Sequence, residues 1–250
     1  VTTLRLLSYN IRSLRDDEDA VTRTIRAAAA HVVTIQEAPR FLRWRSTAAR
    51  IARRSGMVVV TGGRTAAANL VLCTLEVSVH STSDVLFTKD RRLHQRGAAI
   101  AVLELGGHRF AVAGTHLDLV AEARLRHVIE LHEALDRFVP SGCQVIVAGD
   151  MNDDPGSAVW RRLAERGVDV WPEVPEGAGF TSSATNPVRR IDAIFADRDI
   201  RILKARVLDE PDVLIASDHR PLLVELELQA PDHHAEQARA DVGADHRANL

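Results

Sequence analysis

Apolar residues in this chain fall in short runs broken by Gly, Pro and Asp, and between several runs the spacing lengthens to that of a helix. Segments 4–9, 31–36, 57–60, 69–72, 76–86, 98–105 and 108–115 carry the compact apolar runs of strands. Gly106-Gly107 sits between the last two as a hairpin turn. Segment 145–148 is apolar at every position, as in a strand covered on both faces. Further strands are predicted over 189–196, 201–208 and 222–228. Other stretches read as helices. Residues 16–30 open on acids, which favour a helix N-terminus, and run on through alanines. Residues 40–55 are closed by Gly56 in the usual C-terminal place. Residues 121–138 put Leu125, Val128, Ile129, Leu135 and Phe138 on one stripe. Asp154-Pro155 predicts an N-cap and first residue for a short helix running to about Arg166. Residues 167–187, rich in Gly, Pro, Ser and Thr, read as a long surface loop.

No internal repeat or heptad run appears, and periodicity is lost from Pro231 onward. The chain therefore divides into one domain over 1–229 and a disordered tail over 230–250. Strands interleaved with helices and hairpins predict an α/β fold with two mixed β-sheets packed face to face and helices outside. Composition changes this picture at few points. A chain of 250 residues that is 46% hydrophobic can bury a core without staples and is not a disordered polymer. Its 32 basic and 34 acidic residues leave a formal charge of −2, which gives no electrostatic case for a strong, sequence-blind grip on nucleic acid. Cys73 and Cys143 lie in apolar runs and read as reduced core residues. Only Lys89 and Lys204 are lysines, so the Arg and Ala richness reads as coding bias. His233, His234 and His246 read as part of a solvated tail. With no apolar stretch of transmembrane length and no apolar signal region before the first strand, stable membrane insertion is not expected. The expectation is a cytoplasmic protein, with a monomer favoured.

The candidate chemistry lies where apolar runs end, the places at which a rigid scaffold hands side chains to a shared cleft. Asn10 ends the first strand and Glu37 follows 31–36. His116 ends 108–115, with Asp118 two residues on; Asp150 follows 145–148, with Asn152 two residues on. Asp192 sits within the apolar run Arg190-Ile191-Asp192-Ala193-Ile194-Phe195, where a buried carboxylate needs a partner. Asp218-His219 follows the strand-like run Leu214-Ile215-Ala216-Ser217. Singly, each of these is a turn former or cap. Together the residue types are complementary: acids and amides suit a hard cation such as Mg²⁺, and two histidines suit proton transfer and phosphate hydrogen bonding. There is no zinc-type Cys/His spacing, no phosphate-binding Gly-rich loop and no Gly-x-Ser-x-Gly elbow.

The pieces Ser8-Tyr9-Asn10-Ile11, Ile35-Gln36-Glu37, Gly114-Thr115-His116-Leu117, Ala148-Gly149-Asp150-Met151-Asn152, Arg190-Ile191-Asp192-Ala193-Ile194 and Ser217-Asp218-His219-Arg220-Pro221 occur in an order that resembles the endonuclease/exonuclease/phosphatase superfamily. That superfamily includes pancreatic-type deoxyribonucleases, abasic-site endonucleases, neutral sphingomyelinases and inositol polyphosphate 5-phosphatases. The resemblance covers about residues 4–228 and implies a four-layer α/β sandwich. It implies Glu37 as principal Mg²⁺ ligand, with Asn10 and Asp218 near the metal and Mn²⁺ able to substitute. Asp150 and Asn152 would position or deprotonate the attacking water. His219 would sit against the scissile phosphate, oriented by Asp192, and His116 would hydrogen-bond a phosphate oxygen. Asp150 and His219 both remain candidates for the general base.

The implied activity is metal-dependent phosphoester hydrolysis by in-line water attack. Its substrate is less legible. Asn10-Ile11-Arg12-Ser13 lacks the Asn-x-Asn-Gly piece usual in abasic-site enzymes, and Tyr9 is the only tyrosine. Thr115-His116-Leu117-Asp118 is more similar to the deoxyribonuclease, sphingomyelinase and phosphatase branches. Arg96, in a recurring bacterial Arg-Gly-Ala piece, and Asn69, whose family partner glycine is Ala68 here, are candidate substrate contacts together with Asp118. The arginines at 40, 43, 45, 50, 53 and 54 read either as a steering patch or as a solvated helix face. Three readings follow: a bacterial-type phosphodiesterase or phosphatase acting on a small or lipid-derived phosphoester, a weakly specific nuclease, and a catalytically dead phosphate-binding scaffold.

Overall fold

The first strand shows how this sequence makes two cores at once. In β1 (Thr2–Asn10), Leu4 and Leu6 point to one face and Leu7 and Tyr9 to the other, and all four are fully buried. A strand covered on both faces belongs to the middle of a layered molecule. The computed structural model describes residues 1–228, so the sequence-predicted tail and its three histidines lie outside the described residues.

Along the chain, β1 is followed by α1 (Glu18–Ala27), β2 (Val32–Gln36), α2 (Trp44–Ser55), β3 (Val58–Gly63) and β4 (Asn69–Cys73). Next come β5 (Ser78–Leu86), β6 (Gly97–Leu105), β7 (His108–His116), α3 (Ala121–Phe138), β8 (Gln144–Asp150) and α4 (Ala158–Ala164). The chain then forms β9 (Val168–Asp169), α5 (Val170–Glu173), β10 (Pro175–Glu176), β11 (Asp192–Ala196), β12 (Arg201–Val207), α6 (Pro211–Ala216) and β13 (Leu222–Leu228). A seven-stranded mixed sheet has the order β10-β12-β13-β1-β2-β4-β3, and a six-stranded mixed sheet the order β5-β6-β7-β8-β11-β9.

Three apolar layers hold this together. Leu4, Leu6 and Val71 of the first sheet meet Ala99, Val112, Ile146 and Ile194 of the second. On the outside of the first sheet, Ile25, Ile51 and Val213 from three helices cover Leu7, Val33 and Ile35. On the outside of the second, Val128, Leu131 and Leu135 of α3 and Trp160 of α4 cover Ala113, Val147 and Phe195. The result is the four-layer α/β sandwich expected from the sequence. The β6–β7 hairpin turns at Gly106-Gly107 with both φ positive (56° and 81°), the conformation that two-residue hairpins demand.

Several sequence expectations need correction. The short helix after β8 does not start at Asp154-Pro155: Ser157 caps it, its hydroxyl accepting the Trp160 N–H, while Asp154 instead receives a two-pronged bond from Arg189. The 167–187 segment is not simply a surface loop. It holds α5 between β9, which pairs with β11, and β10, which pairs with β12, and it buries Val170, Trp171, Thr181 and Ala184. The Leu214–Ser217 run is not a strand. Pro at the first helical position starts α6, and only Val213 and Ala216 turn inward. The helix expected from Arg40 starts at Trp44, because Arg43 takes a left-handed conformation at φ 59°. The first helix is shorter than 16–30, with the Asp17 side chain capping it by accepting the Ala20 N–H. On α3 the inward stripe runs through Arg124, Val128, Leu131 and Leu135, leaving Ile129 and Phe138 partly exposed. Cys73 is buried, Cys143 only half-buried, and both are free.

Candidate active site

Strand register brings the predicted polar residues to one end of both sheets. In the second sheet His116 pairs with Asp150 across the parallel β7/β8 ladder, and Asp150 pairs with Asp192 across the antiparallel β8/β11 ladder. Asp192 is therefore the first residue of its strand, not a mid-strand carboxylate. In the first sheet Asn10 pairs with Gln36 across parallel β1/β2, so Glu37 emerges beside Asn10. The antiparallel β1/β13 register, Ser8 opposite Leu222, makes the chain enter β13 from the same end and delivers Asp218-His219 there.

Local sequence explains why the strands end as they do. A Cβ on Gly149 would lie 1.9 Å from the Thr115 carbonyl oxygen, so the glycine before Asp150 lets β8 lie against β7. A Cβ on Gly97 would lie 2.1 Å from the Val85 carbonyl oxygen, which gives the residue after Arg96 the same role between β5 and β6. Glu37 and Asn152 both hold positive φ (53° and 51°), turning the chain sharply just past β2 and β8.

The seam between the sheets is bridged by side chains. The Asn10 amide nitrogen donates to Glu37 Oε1 at 3.2 Å and to Asp150 Oδ2 at 3.0 Å, while Asn10 Oδ1 accepts the Arg12 N–H. Asp150 Oδ1 accepts the Asn152 N–H at 3.0 Å. His219 Nδ1 lies 2.8 Å from Asp192 Oδ2, and its Nε2 lies 3.8 Å from Asp150 Oδ2. The Asn152 amide nitrogen donates to the Leu117 carbonyl and reaches His116 Nε2 at 2.9 Å; that ring nitrogen is 3.4 Å from Asp150. Asp150, Asp192 and His219 each offer an atom within 4.8 Å of the others, close enough to share a metal ion.

Burial sets the protonation pattern. Burial and then the Asp192 carboxylate push Asp150 up to about 7, against the pull of His219, the Asn10 amide and the Asn152 N–H. Burial alone would lower His219, but Asp192, Asp150 and Asp218 outweigh it and raise the imidazole to about 10. His116 is driven well below its usual range, chiefly by burial and then by the Arg96 and His219 charges. It is therefore neutral beside a cationic His219. A neutral ring is consistent with Nε2 accepting from Asn152.

Not every candidate joins this cluster. Asp218 is half-exposed and paired with Arg12 Nε at 3.2 Å. Arg96 is buried, 3.7 Å from Asp118, with no hydrogen-bond partner at its Nε; Asp118 caps the turn by accepting the Val120 N–H. Asn69 binds the Ala66 and Gly97 carbonyls, tying β4 to β6, and touches none of the central residues. Supporting residues went unseen in the sequence. The fully buried Thr181 hydroxyl accepts the N–H groups of Ile191 and Asp192, but lies in what reads as loop. Ser217 donates to the Asn10 carbonyl at 2.7 Å, fastening the Asp218-His219 segment to β1; its place beside Asp218 was the available signal.

The sequence profile of the Endonuclease/Exonuclease/phosphatase family matches residues 7–219. No curated protein matches the sequence. Among solved structures, the chain is similar to an endonuclease/exonuclease/phosphatase from Bacteroides vulgatus (TM-score 0.77, 18% identity, covering 92% of this chain and 100% of that one). It is also similar to the mannosyl-6-phosphatase of Bacteroides thetaiotaomicron VPI-5482 (TM-score 0.77, 14% identity, covering 90% and 100%). A third is D. rerio TDP2, solved with a single-strand DNA product (TM-score 0.70, 17% identity, covering 91% and 100%). At such identities these likenesses establish the shared fold. With the profile match spanning most of its length, the chain belongs to the Endonuclease/Exonuclease/phosphatase family, whose members are hydrolases of phosphoesters.

Proposed function

We propose that this protein is a Mg²⁺-dependent phosphodiesterase or phosphatase that directs water in line at a phosphorus atom. The observation that carries the reading is the seam itself: Asn10, Asp150, His219 and Asp192, in that order, are linked across the two sheets by contacts of 3.0, 3.8 and 2.8 Å. A hard cation fits the donors. Glu37 and Asp150 present oxygens to opposite contacts of one Asn10 amide, the set holds no thiol, and the buried acid is in excess. Glu37 would hold the ion with Asn10 beside it, and Asp218 would join them by leaving its pair with Arg12. When bound, Mg²⁺, or Mn²⁺ in its place, supplies Lewis-acid polarisation of the phosphate.

The chain's own groups divide the remaining work. Asp150, fixed by the Asn10 amide and the Asn152 N–H, is placed to take a proton from the attacking water. His219 is kept cationic by Asp192 and stabilises charge that develops on the phosphate oxygens. Asp192 fixes the orientation of that ring by accepting its Nδ1–H. Asn152 would turn its amide N–H from His116 Nε2 to a phosphate oxygen, and His116 would join it as a donor only by carrying its proton on Nε2.

The deciding experiment offers bis-(p-nitrophenyl) phosphate, the corresponding monoester and supercoiled plasmid, each with Mg²⁺ and with EDTA. Metal-dependent turnover of a nitrophenyl ester, abolished in Glu37→Ala and His219→Ala proteins that remain folded, is the expected result. Plasmid nicking would instead favour a weakly specific nuclease. Silence on all three, with phosphate still bound, would make the protein a non-catalytic scaffold.

A further inference from the structure

Beside this site lies a groove of about 690 Å³ whose lining includes Arg40, Arg43, Arg45 and Arg64 together with Phe41 and Leu42. Its position is fixed by sequence. Arg40 comes three residues after Glu37, and Gln95, which also lines the groove, precedes the buried Arg96. The arginines here are unlike their neighbours on α2. Arg50 and Arg54 pair with Glu18 and Asp19 of α1. Among the described residues, Arg40, Arg43, Arg45 and Arg64 meet no carboxylate. Four uncompensated guanidinium groups around one concavity call for an anionic occupant.

The apolar side chains say which kind. Phe41 and Leu42 are 78% and 93% exposed. Around the same end of the molecule, Leu86, Leu119 and Ile215 are 54%, 68% and 54% exposed, on segments that lead to or from Arg96, Asp118 and Asp218. Phe41, Leu42 and Leu86 line the groove itself, and water-exposed apolar tips on a concavity mark an interaction face. A nucleic-acid strand would need open aromatic faces on which to stack bases. Trp44 is already committed: a Cβ on Gly63 would lie 2.4 Å from its ring, and the Arg45 guanidinium sits 4.3 Å over it. Phe41, with Arg40 5.5 Å over one face of its ring, is a single open aromatic, too few to stack successive bases. Aliphatic tips interleaved with guanidinium groups match the boundary between acyl chains and anionic headgroups.

We propose that the 40–45 segment and the rim around it form a docking surface for an anionic phospholipid membrane, with Phe41 and Leu42 dipping below the headgroups and the four arginines binding their phosphates. Docking does not depend on the hydrolase reading.

The test is co-sedimentation of the full chain, in EDTA, with vesicles of phosphatidylcholine alone and of phosphatidylcholine mixed with phosphatidylglycerol. Binding to the mixed vesicles, weak or absent on phosphatidylcholine and weakened by 0.5 M NaCl, is expected. It should fall at least tenfold in a Phe41→Ser/Leu42→Ser protein and in an Arg43→Ala/Arg45→Ala protein, with thermal unfolding confirming that both are folded. The proposal is overturned if the wild type ignores both vesicles, binds both equally, or loses nothing in either variant. Retention of a single-stranded oligonucleotide by a protein that ignores the vesicles overturns it in favour of nucleic acid. Hydrolysis of bis-(p-nitrophenyl) phosphate by the wild type, measured separately, reads the catalytic site without lipid, so the two readings fail independently.

Discussion

Gly149 carries no side chain because the Thr115 carbonyl occupies the space where a Cβ would be, 1.9 Å away, and that oxygen belongs to backbone that cannot swing aside. Gly149→Ala should therefore cost about 3 kcal/mol or more, through overpacking. Gly156 has a positive φ of 86° but open space around it, so Gly156→Ala should cost only about 1 kcal/mol of left-handed strain. Urea unfolding of the two proteins checks the order, and equal losses would show that conformation rather than contact decides. The same reasoning about individual atoms applies to His219. Its Nδ1 is committed to Asp192 at 2.8 Å, so Asp192→Asn removes the charge that holds the ring cationic while leaving its shape. We expect kcat to fall about a hundredfold or more, with KM little changed. A rise in KM alone would mean that Asp192 serves substrate binding.

At the scale of elements, α3 carries a titration that its packing imposes. His132 faces inward, and burial, followed by the charges of Arg166 and Arg162, lowers it to about 4. A histidine lowered in the fold binds its proton more readily when unfolded. Its contribution to stability is thus complete above the ordinary value near 6.5 and is lost as pH falls from there toward 4. Taking pH from 7 to 5 should cost about 1–2 kcal/mol through this residue, and His132→Gln should flatten that part of the profile. Unfolding curves at the two pH values test it, and an unchanged slope in the variant would place the acid sensitivity elsewhere. Elements such as α3 were legible because their apolar spacing is strong: its span is 121–138 in both sequence and structure. Its exposed stripe members were not, since Ile129 and Phe138 lie at the edge of a face whose true centre includes Arg124, satisfied by the Asp118 and Leu119 carbonyls and Asp153. The 167–187 segment defeated pattern reading for another reason. Its order comes from partners outside the segment, β9 pairing with β11, β10 with β12, and Arg190 reaching back 21 residues to Asp169, contacts that a local apolar pattern does not signal. Likewise Asp154-Pro155 is a sound local cap signal, but Arg189 recruits Asp154 and Ser157 supplies the cap.

For the whole molecule, the informative quantity is how the two sheets are joined at their shared end. The six site segments were legible because strands place their last residues in fixed register, so order along the chain becomes adjacency in space. What sequence could not convey is the balance at the joint: burial and the Asp192 carboxylate raise Asp150 to about 7 even though the His219 ring, 3.8 Å away, pulls the other way. A divalent ion that binds this arrangement and not the unfolded chain must stabilise the fold. At a hundred times its dissociation constant the gain is about 2.7 kcal/mol. For a domain of this size that gain corresponds to a rise of roughly 5–10 °C in Tm. Calorimetry in EDTA and over a MgCl₂ titration should show the rise in the wild type. In Glu37→Gln, which keeps the side chain's volume and removes its charge, the rise should vanish while the Tm in EDTA stays the same or increases, because one crowded carboxylate is gone. An equal Mg²⁺ response in that variant would move the ion away from Glu37, toward the Asp150, Asp192 and His219 cluster. No response in the wild type would remove the metal from the proposal altogether.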